Sequence, residues 1–490
     1  MSRFLLASAW IFLCATSTPG QEIPPDVRLP YAVDTGWTSN DSDEPMVVAA
    51  FAVHVDGASS LRLYFDELAL AGDPAAGLGS QVSISSLADG ATQTLDARTV
   101  AQWRFSTAYF NGDTVLVELL AQPGTGRNRL RLSSVDAGAP PIIPKSQCGS
   151  TDDRVPSDDP RVGRLMPVGC TAWMIDDCQH CFLSAGHCVG SIDLVEFNVP
   201  FSTLSGGLVH PGTEDQYVVD DSSIQSNGGL GIGNDYAYFG CFPNSQTGMT
   251  PAQAQGSWFE LVPPPPVAGN TIRITGYGTD TTPNATYNQI QQTATGPFLS
   301  VAGTALSYQV DTQGGNSGSP VIWNNTDQAI GIHTHGGCST TTGNQGTSST
   351  LVSLQNVLAS PKGVCNVSCA WTDLGQGLAG AFGVPQLSGQ GDPEAGNLIV
   401  LAASGLTLFG TTNLVAGLAV ANLPFKGGTL VPTPDILLAG LPISLTTAAF
   451  QFTFPAGVPA GTIAVFQYWT PDPVGVAGWS ATNAQQLTVP

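Results

Sequence analysis

Charge is scarce in this 490-residue chain. Asp, Glu, Lys and Arg make up 11% of it, and the basic residues are the rarer, 15 against 37 acidic. The formal net charge of −22 excludes an electrostatic grip on nucleic acid or an anionic membrane, because such a surface repels polyanions. Helical periodicity is scarce as well. Short alternating runs punctuated by Gly, Asn, Asp and Pro dominate, and they point to an all-β chain. Unbroken apolar runs of membrane-spanning length are also missing. The uncharged stretch Leu398–Phe425 is interrupted by Gly, Ser, Thr and Asn, with Gly410-Thr-Thr-Asn near its centre, so it reads as strands and not as a membrane span.

The chain is too long for one ordinary domain and long enough for three. Residues 1–20 read as a secretory signal peptide: Met-Ser-Arg, an apolar run from Phe4 to Cys14, then small and polar residues to Gly20. The expected location is therefore secreted, extracellular or cell-surface. Ten cysteines less Cys14 leaves nine in the exported chain, so disulfides are expected, with one free thiol or an intermolecular bond left over. Cys178-Gln-His-Cys181 offers a local bridge or, with His180, a metal site; export favours the bridge. No metal or cofactor is called for. Residues 21–147 alternate as in Asp113-Thr-Val-Leu-Val-Glu-Leu and read as an antiparallel β-domain, CUB-like or a propeptide. Residues 148–369 are rich in Gly, Thr, Ser and β-branched residues, with a candidate short helix at Leu351–Ser360. Residues 370–490 are nearly uncharged, alternate strictly at Phe450-Gln-Phe-Thr-Phe, and read as a β-sandwich. Neither flanking domain carries a catalytic cluster, so binding to a surface or another protein, anchoring or stabilising is their expected role.

The central region holds three strings in one order: LSAGHC around His187, GNDYA around Asp235 and DTQGGNSGSP around Ser317. A serine hydroxyl is a poor nucleophile until an imidazole takes its proton. The imidazole needs a carboxylate to fix its tautomer. The tetrahedral intermediate needs backbone N–H donors, assigned here to Gly315 and Ser317, in a turn that Gly314, Gly315 and Gly318 allow. Of six histidines, only His187 has the Ala-Gly-His-Cys setting. Asp215, Asp220 and Asp221 lie nearby, but Asp235 leads into an apolar stretch, as a buried orienting carboxylate should. The constellation suits acyl transfer from a peptide bond to water.

These strings resemble those of the trypsin/chymotrypsin-fold serine peptidases, and GNSGSPV takes the form seen in the bacterial glutamyl endopeptidase branch. ITGYGTD at Ile274–Asp280 and IGIHTHGG at Ile330–Gly337 resemble two further motifs, so five match in order across roughly residues 150–365. The resemblance implies two six-stranded β-barrels with a cleft between them. It also implies a disulfide between Cys170 and Cys188, and a substrate pocket lined by Asp311, Thr312, His333, Thr334 and Gly336. Asp311 lies where trypsin-like enzymes select Arg or Lys, whereas Thr312 and His333 match positions that hold an acidic side chain in glutamyl endopeptidases. His333 pairing with Asp311 is a third possibility. Asn316 stands where zymogens use an aspartate to pair with a new N-terminal ammonium, and Arg164-Leu-Met-Pro departs from the usual Ile-Val-Gly-Gly start. STDDRVPSDDPRVG resembles the start of mature glutamyl endopeptidases; its acidic cluster suits calcium or a solvated linker. The expected function is a secreted serine endopeptidase acting on protein or peptide substrates. The alternative is a surface-binding protein with a docking or inactive peptidase-like domain.

Overall fold

Alternation decides the architecture. In the strands Gln81–Ser86 and Thr114–Ala121 every second side chain is buried, so each strand offers one apolar face to a partner. The computed structural model describes residues 27–74, 77–138, 145–280, 284–339, 342–366, 370–391, 393 and 395–489. The expected signal peptide, Pro140, Pro141, Pro144 and Cys369 lie outside them. The chain is mostly β.

The N-terminal part pairs Val27–Asp34, Arg127–Ala137, Ser60–Ala69 and Phe110–Asn111 in one sheet, with Thr38–Ser39 joining Arg127–Ala137. Met46–His54, Thr114–Ala121, Gln81–Ser86 and Thr92–Leu95 form a second sheet. Leu61, Leu63, Val82, Ile84, Val115, Val117 and Leu132 meet in one core.

The central region holds two β units, as the resemblance to the trypsin fold implies, one of them more fully paired than the other. Six strands do close into a barrel: Gln292–Ala302, Thr271–Gly276, Pro320–Trp323, Gln328–His335, Asn344–Ser348 and Ala305–Tyr308, the last returning to the first. The preceding seven strands run from Gln216–Val218 to Gln225–Ser226 in one curved sheet, and its ends meet loosely: Val219 bridges Cys241, just past Ala237–Phe239, with the Asp220 amide donating to the Gly240 carbonyl at 2.9 Å and the Phe242 amide to the Val218 carbonyl at 3.0 Å. The N-terminal domain covers the outer face of this curved sheet. Leu165, Val195 and Tyr217 point into the sheet's own core, while their neighbours Met166, Leu194 and Val218 join the N-terminal core. Register pairs Leu165 with Val195 and Met166 with Leu194, so both faces of these strands are apolar and buried.

A short helix spans Val352–Leu358. The C-terminal part forms a six-stranded sheet, a three-stranded sheet and a hairpin, Val420–Phe425 with Gly428–Pro432. Its main core, including Ile399, Leu401, Leu414, Phe466 and Tyr468, draws on no residue of the other domains among the described residues. Leu398–Phe425 is divided among three strands, and among the described residues no helix is long and apolar enough to cross a membrane.

Candidate active site

Strand Phe182–Ser184 delivers the chain to His187, which lies in a 3-10 turn spanning Gly186–Ser191. Cys170, on the adjacent strand, is disulfide-bonded to Cys188 (S–S 2.06 Å) and anchors that turn. His187 Nδ1 lies 2.6 Å from Asp235 Oδ2. The other oxygen, Oδ1, accepts from the amides of Gly186 at 2.5 Å and His187 at 3.2 Å. Asp235 is 1% exposed. With both oxygens occupied, the carboxylate orients the ring and favours a proton on Nδ1. His187 Nε2 is buried and has no hydrogen-bond partner among the described residues.

Ser317 is reached through a turn that only glycine can make at two points. Gly315 and Gly318 have φ of +96° and +89°, the left-handed region that L side chains rarely occupy. A Cβ on Gly318 would stand 2.1 Å from the Thr171 carbonyl oxygen and 2.3 Å from Ser184 Oγ, so the turn packs directly on the strands that lead to His187. The Thr171 amide donates to the Ser317 carbonyl at 2.9 Å, and Trp173 Nε1 donates to the Gly318 carbonyl at 2.9 Å. No hydrogen bond joins Ser317 Oγ to His187 among the described residues. The amides of Gly315 and Ser317 donate to no protein acceptor there either.

The pocket residues separate into two groups. Asp311 is 5% exposed, and its carboxylate accepts from the Cys148 amide at 2.6 Å and the Asp153 amide at 2.8 Å. It therefore grips the segment arriving from the N-terminal domain, and it does not pair with His333. His333 Nδ1 lies 2.7 Å from the Tyr308 hydroxyl. Burial, reinforced by His335 and His187, pushes the His333 imidazole down to about 3. Thr312 Oγ1 accepts from Asn344 Nδ2 at 2.9 Å, which leaves its own O–H to donate. Thr334 Oγ1 lies 2.8 Å from His335 Nδ1. Gly336 is half-buried beyond the strand. His335 stacks edge-on to His187, with ring centroids 6.2 Å apart; its sequence setting gave no hint of that approach.

The Cys178–Cys181 bridge is overturned. Cys181 bonds to Cys365 across the domain, and Cys178 is disulfide-bonded as well. His180 gives its Nδ1 to the Ile175 carbonyl at 3.1 Å and stacks on Trp258. Cys241 is the free, buried thiol among the described residues. Sulfur and ring atoms of Cys170, His187 and Cys188 cluster within 4.8 Å, but both sulfurs are spent in the disulfide, so no thiolate is available to a metal. In the acidic cluster, Asp152 pairs with Arg154 and Asp159 with Arg161, each at 2.7 Å. A cavity of about 490 Å³ opens beside Asp159, Arg161, Arg273 and Asp327, and none of His187, Asp235 or Ser317 lines it.

Among solved structures, similar chains include a Glu endopeptidase, 21% identical, covering 43% of this chain and 97% of that one, with a TM-score of 0.34. A thermostable serine protease from an extremophilic microorganism is 17% identical over 39% of this chain and 93% of that one, TM-score 0.31. Neuropsin, a serine protease expressed in the limbic system of mouse brain, is 17% identical over 41% and 94%, TM-score 0.31. The Trypsin family matches residues 161–356, and the chain thus carries a trypsin-like serine protease domain at its centre.

Proposed function

We propose that this protein is a secreted serine endopeptidase in which Ser317 attacks the peptide carbonyl, His187 takes its proton and Asp235 orients the imidazole. The observation that carries the reading is His187 itself: Nδ1 is held at 2.6 Å by a buried carboxylate, while Nε2 is left buried without a partner. A nitrogen so prepared is a base waiting for a hydroxyl. The Gly315 and Ser317 amides then hold the oxyanion, water hydrolyses the acyl-enzyme, and His187 returns the proton.

At the pocket, an acidic P1 side chain is favoured. Asp311 has both oxygens committed to backbone amides, so no carboxylate is left there to recruit Arg or Lys. The free O–H of Thr312 and the ring of His333 suit a carboxylate acceptor, with Thr334 and Gly336 as the wall beside them.

A fluorophosphonate probe on the full-length chain tests the reading. Ser317 should be labelled, and Ser317→Ala should lose labelling and lower turnover by about 10⁴-fold or more with the fold retained. Absence of labelling in correctly folded protein would favour the docking reading; labelling at Ser319 would overturn the assignment of the nucleophile.

A further inference from the structure

The turn that carries Ser317 is held from behind by the segment leaving the N-terminal domain. Lys145 and Ser146 pair antiparallel with Gln313 and Thr312. Cys148 is disulfide-bonded to Cys338, just beyond the strand of His333. Asp311 grips two amides of the same segment. The segment ends at Arg154, whose side chain is 1% exposed. Its guanidinium makes a two-pronged pair with Asp152, Nε to Oδ1 at 2.9 Å and Nη2 to Oδ2 at 2.7 Å. Asp280 lies 3.9 Å from Nη2.

Two contacts carry Arg154 to the oxyanion donors. Nη2 donates to the Thr279 carbonyl at 3.0 Å, and the Thr279 amide donates to the Gly314 carbonyl at 2.8 Å. A trans peptide points its N–H opposite to its C=O, so the bond to the Gly314 carbonyl fixes the direction of the Gly315 N–H. The second contact is through space. Nη1 is buried and has no hydrogen-bond partner among the described residues. A Cβ on Gly278 would lie 2.4 Å from that Nη1 and 2.2 Å from Asn316 Oδ1. The guanidinium and the Asn316 amide therefore meet across the space that Gly278 leaves bare.

We propose that Arg154 is a positioning residue for the oxyanion site. Through Thr279 it orients the Gly314–Gly315 peptide, and its unpaired Nη1 places a buried positive charge beside Asn316, immediately before the nucleophile. The proposal rests on the reading of Ser317 as nucleophile. The competing account is that Arg154 only neutralises Asp152 and fastens the segment. The two accounts differ in kcat.

Kinetics on the full-length chain separate them, using the peptide that the wild type cleaves fastest and the rate of fluorophosphonate labelling. Arg154→Met should lower kcat by roughly 10- to 100-fold, less than loss of an oxyanion donor outright, and leave KM within about twofold. Arg154→Lys should restore part of kcat. Removing the cation alone strands Asp152 and, farther off, Asp280, so the triple variant Asp152→Asn/Arg154→Gln/Asp280→Asn, which removes all three charges together, is measured beside it. It should show the same loss in kcat. Wild-type kcat per folded molecule in either uncharged variant, with only the melting temperature lowered, would overturn the proposal. A wild type that neither labels nor cleaves would instead sink the nucleophile reading beneath it.

Discussion

Glu196 lies wholly inside the protein, 2.7 Å from both Arg164 and His210. Burial alone would push its carboxyl up; Arg164 and then His210 outweigh burial and hold it down at about 2, from an ordinary 4.5. A carboxylate held low stabilises the fold above its unfolded-state value, and that stability drains away as the pH falls toward the folded value. The amount is of order 3 kcal/mol, lost between about pH 4.5 and pH 2. Glu196→Gln strands Arg164 and should cost about 3–5 kcal/mol near neutrality. In urea unfolding, the gap between wild type and variant should narrow as the pH drops below about 4.5; a constant gap from pH 6 to 3 would contradict the account. His333 carries a second prediction. With its imidazole pushed down to about 3 by burial, the unliganded ring is neutral from pH 5 to 8. The preference for Glu over Gln at P1 should then rest on hydrogen bonds and stay flat across that range. Measured kcat/KM ratios that steepen below pH 7 would mean that the bound carboxylate charges the ring. His187, Asp235 and Ser317 stood out because each sits in its own local string. Arg164 and Glu196 did not, because nothing in a strand's alternation tells a buried, paired charge from an exposed one, and Arg154 did not, because it lies in irregular chain where no pattern marks burial.

At the scale of elements, the turn carrying His187 has little regular structure of its own, and its 3-10 stretch has no side-chain cap. The Cys170–Cys188 bridge closes a short loop, with a sequence separation of 18. Removing it as the double Ser variant should cost about 2–4 kcal/mol, read as a lower midpoint in guanidinium unfolding. Activity should fall further than stability alone requires, because His187 adjoins Cys188. Equal activity per folded molecule would show that the bridge stabilises without orienting the base. Strands of the N-terminal domain were legible wherever one face is wet, as in Thr114–Ala121. The curved sheet that carries His187 was harder to read. Val162–Pro167 and Cys170–Met174 are buried almost throughout, so periodicity loses its contrast and the loose Val219–Cys241 bridge that joins the sheet's ends left no mark. The Cys181–Cys365 bond, with a sequence separation of 184, was equally hidden, since spacing favours a local partner whatever the fold brings near.

The whole molecule divides by its cores and not by its sequence boundaries. Met166, Leu194 and Val218 belong to the protease domain by chain position, yet they pack into the N-terminal core. Around them the join is polar and specific. Arg62, 1% exposed, pairs with Asp193 at 2.7 Å, Tyr109 stacks on His210 with ring centroids 4.3 Å apart, and Gln216 Nε2 donates to the Tyr109 carbonyl at 2.9 Å. Separating the two parts would expose apolar side chains and leave Arg62 and Asp193 without each other, a cost that a removable propeptide would have to bear at release. The C-terminal domain closes a core of its own. Calorimetry on the full chain should therefore show two transitions. One should contain the N-terminal and protease parts unfolding together, and the other the C-terminal domain. Met166→Asp should lower the first midpoint and leave the second unmoved, because it buries an unpaired charge in the shared core. Three independent transitions, or a Met166→Asp variant that melts the N-terminal part and spares the protease part, would show that the shared core does not couple them.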